Sequence, residues 1–189
     1  MTPFERAVEH TLSLEGGFGN DPDDPGGATN RGITIGVFGH WAQRVLGIAG
    51  TLENLENLSR DDAIKIYKAR YWDPIKLDDI AAIDEGVALE VFDTGVNMGK
   101  GTAVSFLQRL LNVLNNQGAH YADIDVDGGV GDQTLGALRA FKRRRREEGL
   151  DVLVTGLNCL QGARYVTIAE GREESEKFVY GWLRRRVDR

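Results

Sequence analysis

Apolar residues spaced three and four positions apart recur along most of the chain, and this spacing constrains the fold more than any other feature. It is the spacing of one face of an α-helix. At the N-terminus it runs through Phe4, Val8 and Leu12, which predicts a helix over residues 3–15. Further helices are predicted over residues 37–48, 60–72, 83–98, 102–114, 132–147, 150–170 and 174–187. The sequence therefore predicts a mostly α protein.

One segment departs from this pattern. Residues 16–32 contain six glycines and the pairs Asp21-Pro22 and Asp24-Pro25, with no apolar periodicity. Glycine, proline and aspartate are turn formers, so this segment is predicted to be a loop. Residues 33–35 are predicted to form a short strand, with a small hairpin made by the glycine-rich segment before it. The expected fold is thus helical, with a small loop and β-hairpin region near the N-terminus.

Charge and hydropathy exclude two classes of protein. A net charge of −6 argues against a general nucleic-acid binder, which usually has a basic surface. No stretch approaches the roughly 20 consecutive apolar residues that cross a bilayer, so membrane insertion is not expected. The first residues are amphipathic and lack the apolar core of a signal peptide. The lone Cys159 has apolar neighbours in sequence and is predicted to be a buried thiol. We expect synthesis in the cytoplasm without a Sec signal.

Positive charge is concentrated in two runs of the last third, residues 142–146 and 184–186. Cations are favoured at the C-terminal ends of helices, so both runs are consistent with solvated helix ends. A surface for an anionic polymer is the alternative, and the sequence leaves both readings open.

Glu15 is the most informative single residue. On a helical wheel it falls in the middle of the arc that Phe4, Val8 and Leu12 share. Burial disfavours a charged carboxylate, and the negative end of the helix dipole opposes it, so both effects should raise the pKa of Glu15. A glycosidase needs a carboxyl group of this kind to protonate the leaving oxygen of the sugar. A glutamate bonded to the backbone amides of the next loop is the structural alternative.

The segment that begins at Glu15 resembles a known family. Residues 15–34 read Glu-Gly-Gly-Phe-Gly-Asn-Asp-Pro-Asp-Asp-Pro-Gly-Gly-Ala-Thr-Asn-Arg-Gly-Ile-Thr. The Glu-Gly-Gly-aromatic start, the Asn-Asp-Pro, the Gly-Gly-x-Thr and the Gly-Ile-Thr resemble the signature of glycoside hydrolase family 108, the bacterial and phage N-acetylmuramidases. This resemblance implies a lysozyme-like helical fold with Glu15 as the catalytic glutamate.

The assisting groups are less sharply defined. Asp21, Asp23 and Asp24 lie six to nine residues beyond Glu15, a distance that permits either a retaining or an inverting pair of carboxyls. The nine-residue gap resembles that of phage-type lysozymes and favours Asp24, with Asp21 next as a site residue. Aspartate before proline also commonly starts a turn, which is the structural alternative. Thr29 or Thr34 could orient the attacking water through its hydroxyl, and the likeness of Thr34-Ile35-Gly36 to phage-type lysozymes favours Thr34. Thr29 is carried forward as a candidate substrate-binding residue.

A second segment, residues 92–99, also resembles the muramidase family. Asp93 and Asn97 are four residues apart and therefore share one helix face, where they could bond sugar hydroxyl and acetamido groups. The structural alternative is that Asn97 caps the helix before Gly99. Both are carried forward as candidate substrate-binding residues.

The C-terminal part contains a turn with two readings. Residues 123–128 imitate the start of a calcium-binding loop, but the twelfth position is Thr134, which cannot replace the bidentate glutamate. Residues 127–134, Asp-Gly-Gly-Val-Gly-Asp-Gln-Thr, instead resemble the turn of predicted peptidoglycan-binding domains. We therefore expect a muramidase catalytic region over 1–99 and a helical peptidoglycan-binding-like region packed on it over 100–189, with no metal site.

The combined prediction is an endolysin-type N-acetylmuramidase that hydrolyses the β-1,4 bond between N-acetylmuramic acid and N-acetylglucosamine. This chemistry needs no cofactor. Peptidoglycan is the expected partner, and without a signal a holin or a secretion partner would deliver the enzyme to the periplasm or cell wall. The rival from another class is a non-catalytic peptidoglycan-binding or secretion-accessory protein, as relatives carry the label of secretion activators.

Overall fold

The computed structural model describes residues 1–14, 16–20 and 27–187. These residues divide into two compact units, Met1–Asp78 and Asp79–Arg189. Each unit is considered by itself below. The domain boundary expected at residues 99 and 100 stays a prediction.

The first unit is built mainly from helices. They are α1 (Pro3–Leu14), α2 (Ile35–Leu46), α3 (Leu52–Glu56) and α4 (Arg60–Tyr67), followed by a π turn (Lys68–Trp72), a 3-10 turn (Asp73–Ile75) and α5 (Leu77–Ala81), which crosses into the second unit. Thr34, Thr51 and Ser59 each begin a helix by accepting a hydrogen bond from the amide three residues on. These caps satisfy amides that the first turn leaves without helical partners.

The predicted hairpin is present and short. Strand β1 (Thr29–Asn30) pairs antiparallel with β2 (Ile33–Thr34), with Thr29 opposite Thr34. The two turn residues, Arg31 and Gly32, both have positive φ, at 52° and 74°. A two-residue hairpin turn of type I′ requires this conformation at both positions, and glycine adopts it without steric cost.

The apolar stripes that predicted the helices form the core of the first unit. Phe4 and Val8 of α1 are buried, as are Phe38 and Tyr67. Trp72 is fully buried, so it is a core residue, and its ring meets that of Phe4 edge-on with centroids 5.3 Å apart. Burial of each such side chain contributes roughly 1.5–3 kcal/mol to the stability of the fold. Packing of the apolar stripes therefore stabilises even the short helices α3 and α5.

The second unit is mainly helical in its described residues, with a non-helical stretch over residues 114–131 between two of its helices. It contains α6 (Glu85–Met98), α7 (Lys100–Val113), α8 (Asp132–Glu170), a 3-10 turn (Glu173–Ser175) and α9 (Glu176–Arg186). Val91, Leu107, Leu138 and Leu153 are among its fully buried side chains. The expectation of a mostly α protein with a small N-terminal hairpin is confirmed.

Two helices were predicted where α8 runs, and the structure explains why they read as two. Arg146 has φ 58° and ψ −155°, so regular helical geometry stops there and resumes beyond it. This backbone region is essentially restricted to glycine, and an arginine in it costs of order 1–3 kcal/mol. Three residues after Arg146, a Cβ at Gly149 would lie 2.1 Å from the Arg145 Cβ, so the bend needs glycine at that position.

One expectation about the surface is corrected. Cys159 is exposed, not buried, because it lies on the outer face of α8 despite its apolar neighbours in sequence. Phe178 of α9 is 50% exposed, and it stacks on the half-buried Trp182. Within the described ranges, the helices are all too short or too polar to traverse a lipid bilayer.

Candidate functional site

The hairpin borders the segment that carries the predicted catalytic residues. Gly19 and Thr29 exchange two backbone hydrogen bonds, each with an N···O distance of 2.8 Å. The amide of Ile35, the first residue of α2, donates to the carbonyl of Ala28 at 2.8 Å. The chain on both sides of residues 21–26 is therefore held by main-chain bonds.

Buried side-chain bonds fix the hairpin to the helices behind it. The Asn30 Nδ2 donates to the carbonyls of Leu55 and Glu56, at 2.9 and 3.0 Å, and Asn30 is only 5% exposed. The Tyr67 hydroxyl donates to the Arg31 carbonyl at 3.1 Å. A buried amide with two carbonyl partners is costly to disrupt, because removing it leaves polar groups without water or protein partners. The hairpin is thus a rigid platform.

The two predicted threonines of the site are brought together on this platform. Thr29 and Thr34 are register partners, so their side chains project from the same face of the hairpin, and both are half-buried. The Thr34 Oγ1 accepts a hydrogen bond from the Val37 amide at 3.4 Å as the cap of α2. A hydroxyl that accepts one bond keeps its own hydrogen and a second lone pair, so Thr34 can still bond a water molecule.

The predicted carboxylates of this site, Glu15, Asp21 and Asp24, lie outside the described residues, as does Asp23. In sequence Glu15 directly follows Leu14, the last residue of α1. The catalytic roles and the raised pKa of Glu15 therefore stay predictions.

Asp93 and Asn97 are also brought together, on α6. The side chain of Asp93 is 3% exposed. Its Oδ1 accepts from the Arg186 Nη1 at 3.0 Å, and its Oδ2 accepts from the Gln161 Nε2 at 3.0 Å and from the Asn97 Nδ2 at 3.3 Å. Asn97 also donates to the Asp93 carbonyl at 2.7 Å.

This cluster links three helices through a single carboxylate. The free-energy cost of removing a carboxylate from water is offset when both of its oxygens have close charged or polar partners, as both oxygens of Asp93 do. Because both oxygens of Asp93 are engaged inside the unit, the geometry favours a structural role for Asp93 over the predicted contact with sugar. Asn97 is exposed, and its side-chain amide bonds within the helix without capping its end.

Glu90 is a buried residue that the sequence reasoning missed. It lies on α6, is 2% exposed, and shares a helix face with Val87 and Thr94. The signal that singled out Glu15 was available here as well, because Glu90 falls on the apolar stripe of its helix. Burial alone does not make such a group catalytic, since structural networks also hold carboxylates.

The turn over residues 127–134 is organised by Gln108 of α7. Its Nε2 donates to the Asp127 Oδ1 at 2.8 Å and to the Gly129 carbonyl at 2.9 Å, while its Oε1 accepts from the Gly128 amide at 2.9 Å. The bond from Gln108, and then that from the Gly129 amide, lowers the pKa of Asp127. Thr134 is buried and donates to the Gly129 carbonyl.

The glycines of this turn have a steric role. Gly128 has φ +73°, and a Cβ there would lie 3.0 Å from the Gly101 carbonyl oxygen. The motif therefore joins the start of α8 to α7 at a close approach of two backbones. Among the described side chains, no group of three or more histidine, cysteine, aspartate or glutamate residues is placed to hold a metal ion.

Comparison with known proteins assigns both halves of the chain. The model of the family Glycosyl hydrolase 108 matches residues 8–99, and that of the family Predicted Peptidoglycan domain matches residues 102–187. A solved structure of Brucella abortus SagA is similar over 96% of this chain and 88% of its own, with a TM-score of 0.70 and 28% sequence identity. No curated protein sequence matches the chain.

These matches agree with the resemblance found in the sequence and with the mostly α, lysozyme-like fold. They support a glycosidase that acts on peptidoglycan. The match to the glycosyl hydrolase 108 family thus covers residues 8–99 of this chain, and the match to the predicted peptidoglycan domain family covers residues 102–187.

Proposed function

We propose that this protein is an N-acetylmuramidase that hydrolyses the β-1,4 bond between N-acetylmuramic acid and N-acetylglucosamine. The observation that carries the proposal is the match of the glycosyl hydrolase 108 model to residues 8–99, a range that contains the whole segment from Glu15 to Thr34. The rigid hairpin at the end of that segment supports it, because catalytic groups act best from elements that neighbouring packing holds in place.

In this proposal Glu15 protonates the glycosidic oxygen as the bond breaks. Asp24, or Asp21 in its place, stabilises the positive charge that develops on the sugar ring or activates the attacking water. Thr34 holds that water through the hydroxyl hydrogen and the lone pair that its capping bond leaves available. Thr29, opposite it on the hairpin, bonds a hydroxyl of the sugar.

The chemistry of the products tests the bond specificity. Purified peptidoglycan is digested, the new reducing ends are reduced with borohydride, and the sugar alcohols are identified after acid hydrolysis. A muramidase yields muramitol. Glucosaminitol as the main product would instead identify a glucosaminidase and contradict the bond assignment.

Variants of two glutamates test the role of Glu15. Glu15→Gln keeps the size of the side chain but removes the acid, so we expect the release of reducing ends to fall by about 10²–10⁴-fold. Glu53→Gln is the matched control, because Glu53 is an exposed glutamate of α3 in the same unit, and its activity should equal that of the parent. A Glu15→Gln protein as active as the Glu53→Gln protein would defeat the assignment.

The same assays separate the enzyme from a non-catalytic wall-binding or secretion-accessory protein. That rival predicts sedimentation with peptidoglycan but no release of reducing ends by the parent chain. Delivery is a further part of the proposal: the enzyme is made in the cytoplasm, and a holin or a secretion partner releases it to the wall as an endolysin or secretion activator. Expression with and without a holin tests this, and lysis that is equally fast without one would argue against the holin route.

A further inference from the structure

The hairpin of the first unit has one buried face and one open face. Side chains along an extended chain alternate between the two faces of a sheet. Ala28, Asn30 and Ile33 are at most 5% exposed, so they lie on the buried face, whereas Thr29 and Thr34 are half-buried. The open face therefore carries the two threonines of the candidate site.

Gly19 extends the row of threonines on this open face. It exchanges two backbone hydrogen bonds with Thr29, each at 2.8 Å, and Thr29 is in turn the register partner of Thr34. A Cβ built at Gly19 would lie 3.8 Å from the Thr29 Cγ2, so positions 19 and 29 face the same side. Gly19, Thr29 and Thr34 thus form one row across three chain segments, and its first position has no side chain.

Neither backbone conformation nor packing within the described ranges requires glycine at position 19. Gly27 and Gly32, in the same segment, have φ of 68° and 74°, a region where other residues are strained. The φ of Gly19 lies outside that region, and the 3.8 Å contact that a Cβ would make is an ordinary van der Waals distance. Glycine weakens a paired strand, and it often marks a place where a ligand approaches the backbone closely. A close approach by a ligand accounts for Gly19.

The missing side chain leaves a slot beside Thr29, called the Gly19 slot below. Among the described residues that are not its chain neighbours, the Thr29 Cγ2 methyl contributes the one atom within 4 Å of the Cβ position. The Gly19 amide and carbonyl are both bonded to Thr29, so the polar groups at the floor of the slot are already paired. A methyl group suits this slot better than a hydroxyl, because a buried hydroxyl without a partner is costly.

We infer that the Gly19 slot receives the acetamido methyl group of one N-acetylhexosamine unit and thereby selects N-acetylated glycans. An acetamido group joins a methyl to a carbonyl and an N–H. This combination matches a methyl-walled slot in the same row as the hydroxyls of Thr29 and Thr34, which can bond the polar atoms beside that methyl.

This inference rests on the proposed function for its choice of a glycan, but recognition of an acetamido group involves no bond cleavage. The two can therefore fail independently. A parent chain that binds N-acetylated glycans at the Gly19 slot yet releases no reducing ends from peptidoglycan would contradict the proposed function and leave the inference standing.

The test is an NMR titration of the full chain with chitotetraose and with cellotetraose, two neutral β-1,4-linked tetrasaccharides of which only the first carries acetamido groups. Chitotetraose should bind at least about tenfold more tightly and should shift the backbone amide signals of Gly19, Thr29 and Thr34. These three signals report on the slot even if the sugar also binds elsewhere on the chain. Equal affinities at these signals, or shifts confined to other residues, would overturn the inference.

Filling the slot separates contact with ligand from a role in the fold. Gly19→Ala adds one methyl group at a backbone conformation that alanine accepts, so Tm should be unchanged or slightly higher. Its preference for chitotetraose over cellotetraose should nevertheless fall at least about threefold, and Gly19→Val should abolish the preference. If Gly19→Val does not fold, Gly19→Ala alone retains the test.

Gly39→Ala is the matched control. Gly39 lies on α2 in the same unit, outside the left-handed region, and a Cβ there would also have one contact at 3.8 Å, with the Gly50 carbonyl oxygen. The sugar preference of this variant should equal that of the parent. A Gly19→Ala protein that keeps the parent's preference, or a Gly39→Ala protein that loses it to the same extent, would overturn the assignment of the slot.

Discussion

The hairpin of the first unit and the Asp93 cluster of the second unit use polar side chains in opposite ways. In the hairpin, the side-chain amide of Asn30 donates two buried hydrogen bonds to backbone carbonyls. The hydroxyls of Thr29 and Thr34 project from one face of the hairpin, where they can bond a further group. In the cluster, Asp93 is buried and each of its oxygens is bonded within the unit. Both segments resemble the muramidase family in sequence. The difference teaches that a shared motif identifies residues that matter without saying whether they act on substrate or hold helices together.

Asp93→Leu should have the largest effect on stability. It removes one partner of a buried ion pair, so we expect a loss of about 3–5 kcal/mol in the free energy of unfolding. Urea denaturation measures it. The double variant with Arg186→Met should recover much of the loss. If the unfolding free energy of Asp93→Leu alone lies within about 1 kcal/mol of the parent, as expected for an exposed ion pair, the structural role of the Asp93 cluster would be contradicted.

Asn30→Asp tests whether the hairpin is held by its buried amide. The substitution replaces a donor by a carboxylate that faces two carbonyl oxygens, so we expect a loss of about 1–3 kcal/mol in unfolding free energy. Activity on peptidoglycan should also fall under conditions in which the protein remains folded, because the platform shifts. Asn57→Asp is a suitable control, since Asn57 is exposed and its amide bonds only the Glu53 carbonyl. Equal stability of the two variants would argue against the anchoring role.

Thr34→Ala sharpens the distinction between a structural cap and a catalytic contact. Loss of the cap should cost about 1 kcal/mol of stability. Thr51→Ala removes the equivalent cap of α3 and should cost a similar amount. If Thr34 also positions water, kcat should fall for the first variant only. Identical kinetics in both variants would leave Thr34 with its capping role alone.

Asp127→Asn should have the smallest effect, a modest loss of stability near neutral pH that disappears at low pH. Hydrogen bonds lower the folded-state pKa of Asp127, so its contribution to stability is present above the unfolded-state value of about 3.9 and is lost as the pH falls through the folded pKa. The asparagine variant should therefore show a weaker decline of Tm with acidification than the parent. Parallel declines in the two proteins would contradict the role of these hydrogen bonds.

Much of this architecture could be predicted from the sequence, because apolar spacing reports directly on helices. It gave the positions of α1, α6 and α7 to within a few residues, and the turn formers predicted the hairpin region. Spacing also predicted two helices where α8 runs, and the non-helical backbone of Arg146 does separate two helical segments there. Spacing could not predict the glycine-like geometry at this arginine, because the bend depends on packing at Gly149. It also could not show that Cys159 faces outward.

Candidate site residues were harder to assign for a different reason. Asp93 and Asn97 share a helix face, as expected, but their partners come from residues 161 and 186, far along the chain. The spacing of residues within one helix does not reveal contacts with residues so far along the chain. Glu90 also lies on an apolar stripe, but it is followed by no motif like the one after Glu15, so its sequence context does not distinguish it.

The central claim is that the acid at the end of α1 performs the chemistry, while the acid in the middle of α6 maintains the fold. Its most direct test is the specific activity of Glu15→Gln and Asp93→Asn, compared side by side by the release of reducing ends from peptidoglycan, at a temperature where circular dichroism shows both proteins folded. We predict a loss of about 10²-fold or more for Glu15→Gln, and activity within a few-fold of the parent per folded molecule for Asp93→Asn. An active Glu15→Gln protein beside an inactive, folded Asp93→Asn protein would contradict the account.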